Sequence, residues 1–140
     1  MGKINWARVV LGGVLWYLVF SVVLAIAFPL FMGEFRRAFE ELNRPFQVTP
    51  AWVAVGIALM LVGGIFSIWF YAAIRPRYGP GPKTAACAGF ALWLIGNLAP
   101  TVWCGWHLLQ LPTGLVTAWV VTHLVAFAAA TLVGAWPYKE

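Results

Sequence analysis

The chain has 140 residues, of which 63% are hydrophobic and only 9% charged. A soluble domain is near 25% charged, so an ordinary soluble fold is excluded, and this length allows one domain. The net charge of +5 does not point to nucleic acid, because the basic residues flank apolar runs instead of forming a stripe, as the orientation signals of a membrane protein do.

Four apolar stretches fill the chain, at about residues 6–32, 51–74, 85–109 and 115–136. Each reaches the roughly 20 residues that cross a hydrocarbon layer. They are continuous runs without the alternation of barrel strands, so helices are predicted. The predicted fold is all-α: a polytopic membrane protein, one transmembrane domain, four transmembrane helices in an up-down bundle.

The first stretch begins after Lys3 and Arg8, and Ala25-Ile26-Ala27 resembles a signal-peptide cleavage site. Its apolar run continues through Phe31, longer than a signal peptide's core, which predicts a retained span. Gly13, Ser21 and Ala25 mark a small-residue face. In the connection after this span, Phe35, Phe39 and Leu42 recur at helical spacing, and Arg36–Glu40 and Arg37–Glu41 stand at the i,i+4 pairing distance. A short interfacial helix is predicted there. Pro45 and Pro50 bracket the approach to the second span, with Thr49 as its cap.

The second span carries Gly56, Gly63, Gly64 and Ser67 as its small face. The connection after it, residues 75–83, holds three prolines and two glycines, which predict that no helix continues through it. Its cations Arg75, Arg77 and Lys83 suit anionic lipid headgroups, and its glycines could offer backbone amides to a phosphate.

The third span contains both cysteines. Cys87 and Cys104 lie about 25 Å apart on one helix, too far to bridge, and read as small buried apolar residues. Asn97 falls near the midplane. Pro100 comes one turn later and frees the carbonyl of Gly96. Asn97 and Thr101, with Thr122 and His123 of the fourth span, form a predicted polar cluster, either interhelical glue or a substrate site at a broken helix. On the fourth span Ala118, Thr122, Ala126, Ala130 and Gly134 recur every four residues, a stripe that lets a helix approach closely.

Three short patterns recur, one of them Leu61-Val62-Gly63 with Leu132-Val133-Gly134. Gly13-Val14-Leu15-Trp16 echoes Gly89-Phe90-Ala91-Leu92-Trp93, and Ala51-Trp52-Val53 echoes Ala118-Trp119-Val120. A duplicated two-helix hairpin would produce all three. Of the nine tryptophans, Trp6, Trp52, Trp69, Trp103, Trp106, Trp119 and Trp136 stand near span ends, where interface belts place them. Trp16 and Trp93 lie deeper. They are read as core packing, with a flat ligand between them as the alternative.

Chemistry-bearing residues are few. There is no Asp, no Glu within a span, no phosphate-binding Gly-Lys-Ser/Thr loop and no CxxC or HExxH. His107 and His123 are cofactor candidates, for haem or a chlorophyll-type pigment. Their depths differ by roughly 9 Å, which disfavours one haem held between them. The alternative is a neutral histidine hydrogen-bonded within the bundle. Cys104 and His107 share a face without further metal ligands.

The stretch YAAIRPRYGPGPKTA (residues 71–85), followed by Gly89 and Trp93, resembles a loop of small bacterial four-span integral membrane proteins that have no established activity. The resemblance implies a bacterial inner-membrane protein with four spans, and no chemistry. Lys3, Arg8, Arg75, Arg77, Lys83 and Lys139 fall on one side of such a topology and Arg36, Arg37 and Arg44 on the other, so both termini are expected in the cytoplasm. Three function classes stay open. They are an accessory or assembly subunit of a larger membrane complex, an oligomeric small-molecule carrier or channel using the polar cluster, and a pigment- or haem-binding protein. A membrane enzyme comes fourth. The expected partners are membrane lipids and other membrane subunits or further copies of the chain.

Overall fold

A computed structural model of the protein describes residues 4–44 and 47–138. Four helices long and apolar enough to cross a membrane make up the described chain: α1 (Trp6–Glu41), α2 (Pro50–Tyr78), α3 (Pro82–Leu108) and α4 (Thr113–Ala135). It is an all-α, multi-pass membrane bundle. Both described ends lie at one end of it, where Asn5 N–H donates to Tyr138 Oη (3.4 Å) and Arg8 Nη1 donates to the Pro137 carbonyl (3.4 Å).

Local chemistry sets most helix ends. Asn5 Oδ1 accepts from Arg8 N–H at the start of α1, and Thr49 Oγ1 accepts from Trp52 N–H at the start of α2. Asn43, in the left-handed conformation (φ 53°), closes α1. Its N–H donates to the Glu40 carbonyl, and Arg44 N–H donates to the Phe39 carbonyl, the paired bonds of a left-handed cap.

Three expectations are corrected. Residues 33–41 are helical, as their period predicts, but they prolong α1 instead of forming a separate helix, the chain staying helical through Pro29 and Gly33. Phe35 and Phe39 pack inward. Arg36, Arg37, Glu40 and Glu41 stay exposed. Pro45 lies outside the described residues. The proline-rich connection shrinks to Gly79, Pro80 and Gly81. α2 runs through Pro76 to Tyr78, and Pro82 opens α3. Proline deprives only the carbonyl four residues back of its donor, so Pro76 in the last turn is tolerated. Gly79 (φ 83°) and Gly81 (φ 130°) make the turn, and Thr84 Oγ1 fastens it by donating to the Gly79 carbonyl (2.8 Å). Lastly, Cys87 and Cys104 are exposed on the bundle surface, not buried.

α3 is irregular in its second half. Two wide π turns, Leu94–Leu98 and Trp103–Leu108, flank one α-helical turn, Ala99–Val102. Pro100 is the physical cause that the sequence supplies: a wide turn before it makes room for a ring that would clash with the preceding turn.

Packing is uneven. α1 lies against both α2 and α4, and α3 lies against α4 and more lightly α2. Glycines permit the closest crossings. A Cβ on Gly12 would collide with the Gly134 carbonyl, one on Gly13 would stand 2.6 Å from Ile65 Cα, and one on Gly89 3.0 Å from the Phe127 carbonyl. Gly13 and Gly89, equivalent in the sequence echo, thus each receive the next helix of their own hairpin. The outer half of α2 is different. Every residue from Ala51 to Leu59 is exposed except Gly56, which is half-buried, and Gly56 and Gly63 meet nothing within 4 Å of a Cβ position.

Candidate functional site

The interior between α1 and α4 is a column of rings in contact, some stacked and some edge to face. Phe39 meets Phe35 (4.7 Å between centroids), Phe35 meets Trp119 (5.7 Å), Trp119 meets His123 (4.6 Å), His123 meets Phe20 (5.7 Å) and Phe20 meets Trp16 (4.5 Å). On α1 this column spans about 35 Å at 1.5 Å per residue, the depth of a hydrocarbon layer. Phe127 sets its edge against both Phe20 and Trp16. Aromatic pairs in such geometries contribute about 0.5–1.5 kcal/mol each beyond the area they bury.

His123 is a member of this column. It is buried, its ring stacks on Trp119, and Nδ1 lies 2.8 Å from the Trp119 carbonyl. A carbonyl only accepts, so Nδ1 carries the proton and Nε2 holds the lone pair in the neutral ring. That is the geometry of a histidine serving as part of a packed interior. His107 is exposed in the second π turn of α3, its ring 5.0 Å from that of Trp103. The two histidines are not brought together, and no group of three or more His, Cys, Asp or Glu side chains is arranged for a metal among the described residues.

No hydrogen bond joins Asn97, Thr101, Thr122 and His123, the expected polar cluster, among the described residues. The hydrogen bond of His123 goes to its own helix, and Asn97 Oδ1 is buried with no hydrogen-bond partner. Thr122 is half-buried on α4. Thr101 instead lines an apolar cavity of about 250 Å³ with Phe35, Phe39, Cys104 and Trp119. The wide turn at Leu94–Leu98 is the reason: one added residue rotates the remainder of the helix by about 100°, so a face drawn at regular helical spacing does not hold through α3.

The two deep tryptophans both fasten α4. Trp16 Nε1 donates to Thr131 Oγ1 (3.0 Å), and Trp93 Nε1 donates to the Val120 carbonyl (3.1 Å). Each ring has a phenylalanine of its own helix beside it, Phe20 and Phe90 respectively. Of the α4 stripe, Ala126 and Ala130 are fully buried and Gly134 meets Gly12. Ala118 packs beside Phe31 and Leu115. The stripe is used inside the bundle.

At the end that holds both described termini, Arg75 lines a second cavity, of about 330 Å³, with Tyr71, Pro82, Ala85, Leu132, Trp136 and Tyr138. Its guanidinium carbon lies 5.4 Å from the Tyr138 ring centroid, a cation–π distance. Arg77 and Lys83 stay exposed outside it. An apolar groove lies on the α1–α2 surface, between Trp6 and Phe66. Asn97, Thr122 and His123 line none of these three cavities.

Sequence reasoning found Trp16, His123 and Arg75. It missed Thr131, Phe20 and Tyr138, and the echo of aromatic residues at i,i+4 on α1 (Trp16–Phe20, Phe31–Phe35–Phe39) was the signal available for Phe20. No family model matches the chain, and no curated protein or solved structure shows significant similarity to it.

Proposed function

We propose that this protein is a non-enzymatic helix bundle of a bacterial inner membrane, with both termini in the cytoplasm, that serves as an accessory or assembly subunit of a larger membrane complex. The observation that carries the reading is the outer half of α2. Residues 51–59 are exposed around the whole helix circumference apart from Gly56, whereas the inner half of α2 is held against α1 at Gly64 and Ile65. The ring column and the close α1–α4 crossing fill the interior that a carrier would need to open. The six-to-three split of Lys and Arg supports the orientation.

The test places a photo-activated crosslinking residue at Val55 or Leu59 of α2, and at Val22 of α1 as a second exposed site. The protein is then purified from its native membrane in mild detergent. The reading expects one defined protein partner crosslinked from α2 and only lipid from α1. It also expects Gly56→Leu with Gly63→Leu to abolish the crosslink while the bundle's own unfolding transition is unchanged. A monodisperse monomer whose α2 crosslinks only lipid overturns it.

A further inference from the structure

Thr101 carries a hydroxyl that the bundle does not use. It stands in the single α-helical turn, Ala99–Val102, between the two wide turns of α3. A threonine inside a helix readily turns its hydroxyl back to the carbonyl three or four residues earlier. Ser67 of α2 does this, donating to the Gly63 carbonyl (2.7 Å). Thr101 makes no hydrogen bond among the described residues. Its side chain lines the cavity of about 250 Å³ at the end of the bundle away from both described termini.

The described lining of this cavity is uncharged. Leu115 and Trp119 of α4 form one wall, Phe35 and Phe39 of α1 a second, and Thr101 with Cys104 the α3 side. Trp119 and Phe35 are stacked on each other (5.7 Å), so the aromatic surface is already fixed in place. An ion drawn in from water would find no countercharge here, which selects a neutral ligand. The volume is below the ~300–1,000 Å³ of sites for drug-sized molecules. It suffices for one six-membered ring with a small substituent, since an apolar cavity of about 150 Å³ already takes up benzene. A ring suits the aromatic wall through offset or edge contacts. An oxygen on that ring suits the Thr101 hydroxyl, which both donates and accepts.

We infer that this cavity binds an uncharged six-membered ring bearing a hydrogen-bonding oxygen, with the oxygen on Thr101 Oγ1 and the ring against Trp119. In a membrane this chemistry has two sources, a free phenol and the head of a prenylated quinone. The site is built by α1, α3 and α4, so it is independent of the α2 surface that carries the assembly role.

Cys104 is exposed and lines the cavity, which places it at the mouth. Cys87, exposed near the other end of α3, is a reference thiol within the same chain. The experiment labels the full chain in mild detergent with N-ethylmaleimide at rising 4-ethylphenol and follows each thiol by peptide mass spectrometry. Cys104 should be protected saturably while Cys87 reacts at an unchanged rate. Thr101→Val should raise the half-protecting concentration about threefold to tenfold, the range of one neutral hydrogen bond. Thr122→Val, outside the cavity, should raise it less than about twofold. Ethylbenzene, which lacks the oxygen, should be weaker than ethylphenol on the wild-type chain by the same factor of about three to ten. That comparison holds even where Thr101→Val disturbs α3. Equal slowing of both thiols, no protection of Cys104, or equal protection by ethylphenol and ethylbenzene overturns the inference. Ubiquinone with a single prenyl unit separates the sources: protection at a lower concentration than ethylphenol assigns the quinone head, the reverse order assigns the free phenol, and both support the ring.

Discussion

The sharpest consequence of the packing concerns two glycines on neighbouring helices. A methyl group added at Gly13 would stand 2.6 Å from Ile65 Cα and 2.7 Å from Ile65 N, whereas one added at Gly56 meets nothing within 4 Å. Carbon atoms rest at about 3.5–4.0 Å, so Gly13→Ala forces α1 and α2 apart by about 1 Å. A gap of that size forfeits a quarter to a half of each dispersion well. Over some 40 atom pairs of about 0.15 kcal/mol each, the loss is about 1.5–3 kcal/mol. Lipid tails supply no compensating hydrophobic term, because helix association in a bilayer rests on packing itself. Gly56→Ala carries the same gain in helix propensity with no clash, so the comparison cancels that contribution. Reversible unfolding in mixed micelles, followed by tryptophan fluorescence, should place Gly13→Ala well below wild type and Gly56→Ala at or above it. Equal stabilities for the two variants would refute the crossing.

Thr131→Val removes the acceptor of Trp16 Nε1 at nearly constant volume and should cost about 0.6–2 kcal/mol. The cost should vanish in a Trp16→Phe background, and a cost that persists there assigns it to something other than this bond. Asn97→Leu should leave stability unchanged or raise it by about 1 kcal/mol, since it deletes a buried oxygen that has no partner. A clear loss of stability in the isolated chain would mean that Asn97 is bonded after all. For the topology, a cysteine introduced at Asn43 should react with an impermeant thiol reagent added outside intact cells and one at Arg77 should not; the reverse pattern inverts the assigned orientation.

The four spans were legible because a hydrocarbon layer imposes one length and one composition, and the helix starts at Asn5 and Thr49 come from side chains that reach their own backbone. The depth of Trp16 and Trp93 was legible for the same reason: an indole far from an interface needs an acceptor, and both found one on α4. The course of α3 was not. Pro100 announces a disturbance, but whether the chain answers with a kink or with wide turns depends on packing against α4, and the faces of Asn97 and Thr101 depend on that answer. Residues 33–41 were readable as helix, yet a periodic pattern does not say whether it joins the span before it. By sequence alone Arg75 is one of three equivalent loop cations. Its separation from Arg77 and Lys83 comes from α2 continuing through Pro76, which carries position 75 onto a helical face under Tyr138.

Glycine in a helix costs up to about 1 kcal/mol relative to alanine, so each helical glycine poses a question about what it permits. Gly12 and Gly134 answer it across the α1–α4 crossing, Gly13 and Gly64 across α1–α2, and Gly89 across α3–α4. Each permits a backbone approach that a Cβ would block. Gly33, Gly56, Gly63, Gly96 and Gly114 have nothing within 4 Å of a Cβ position among the described residues, and of these Gly56 and Gly63 lie seven residues apart, two turns along one face of α2. Ser67, one turn further, is buried inside the bundle and donates its hydroxyl to the Gly63 carbonyl (2.7 Å). Two glycines whose conformational cost has no return in the monomer, on the helix that the bundle covers least, are accounted for if a second helix lies against them. The double substitution at Gly56 and Gly63 is therefore the variant that separates the stability of the bundle from the stability of its assembly.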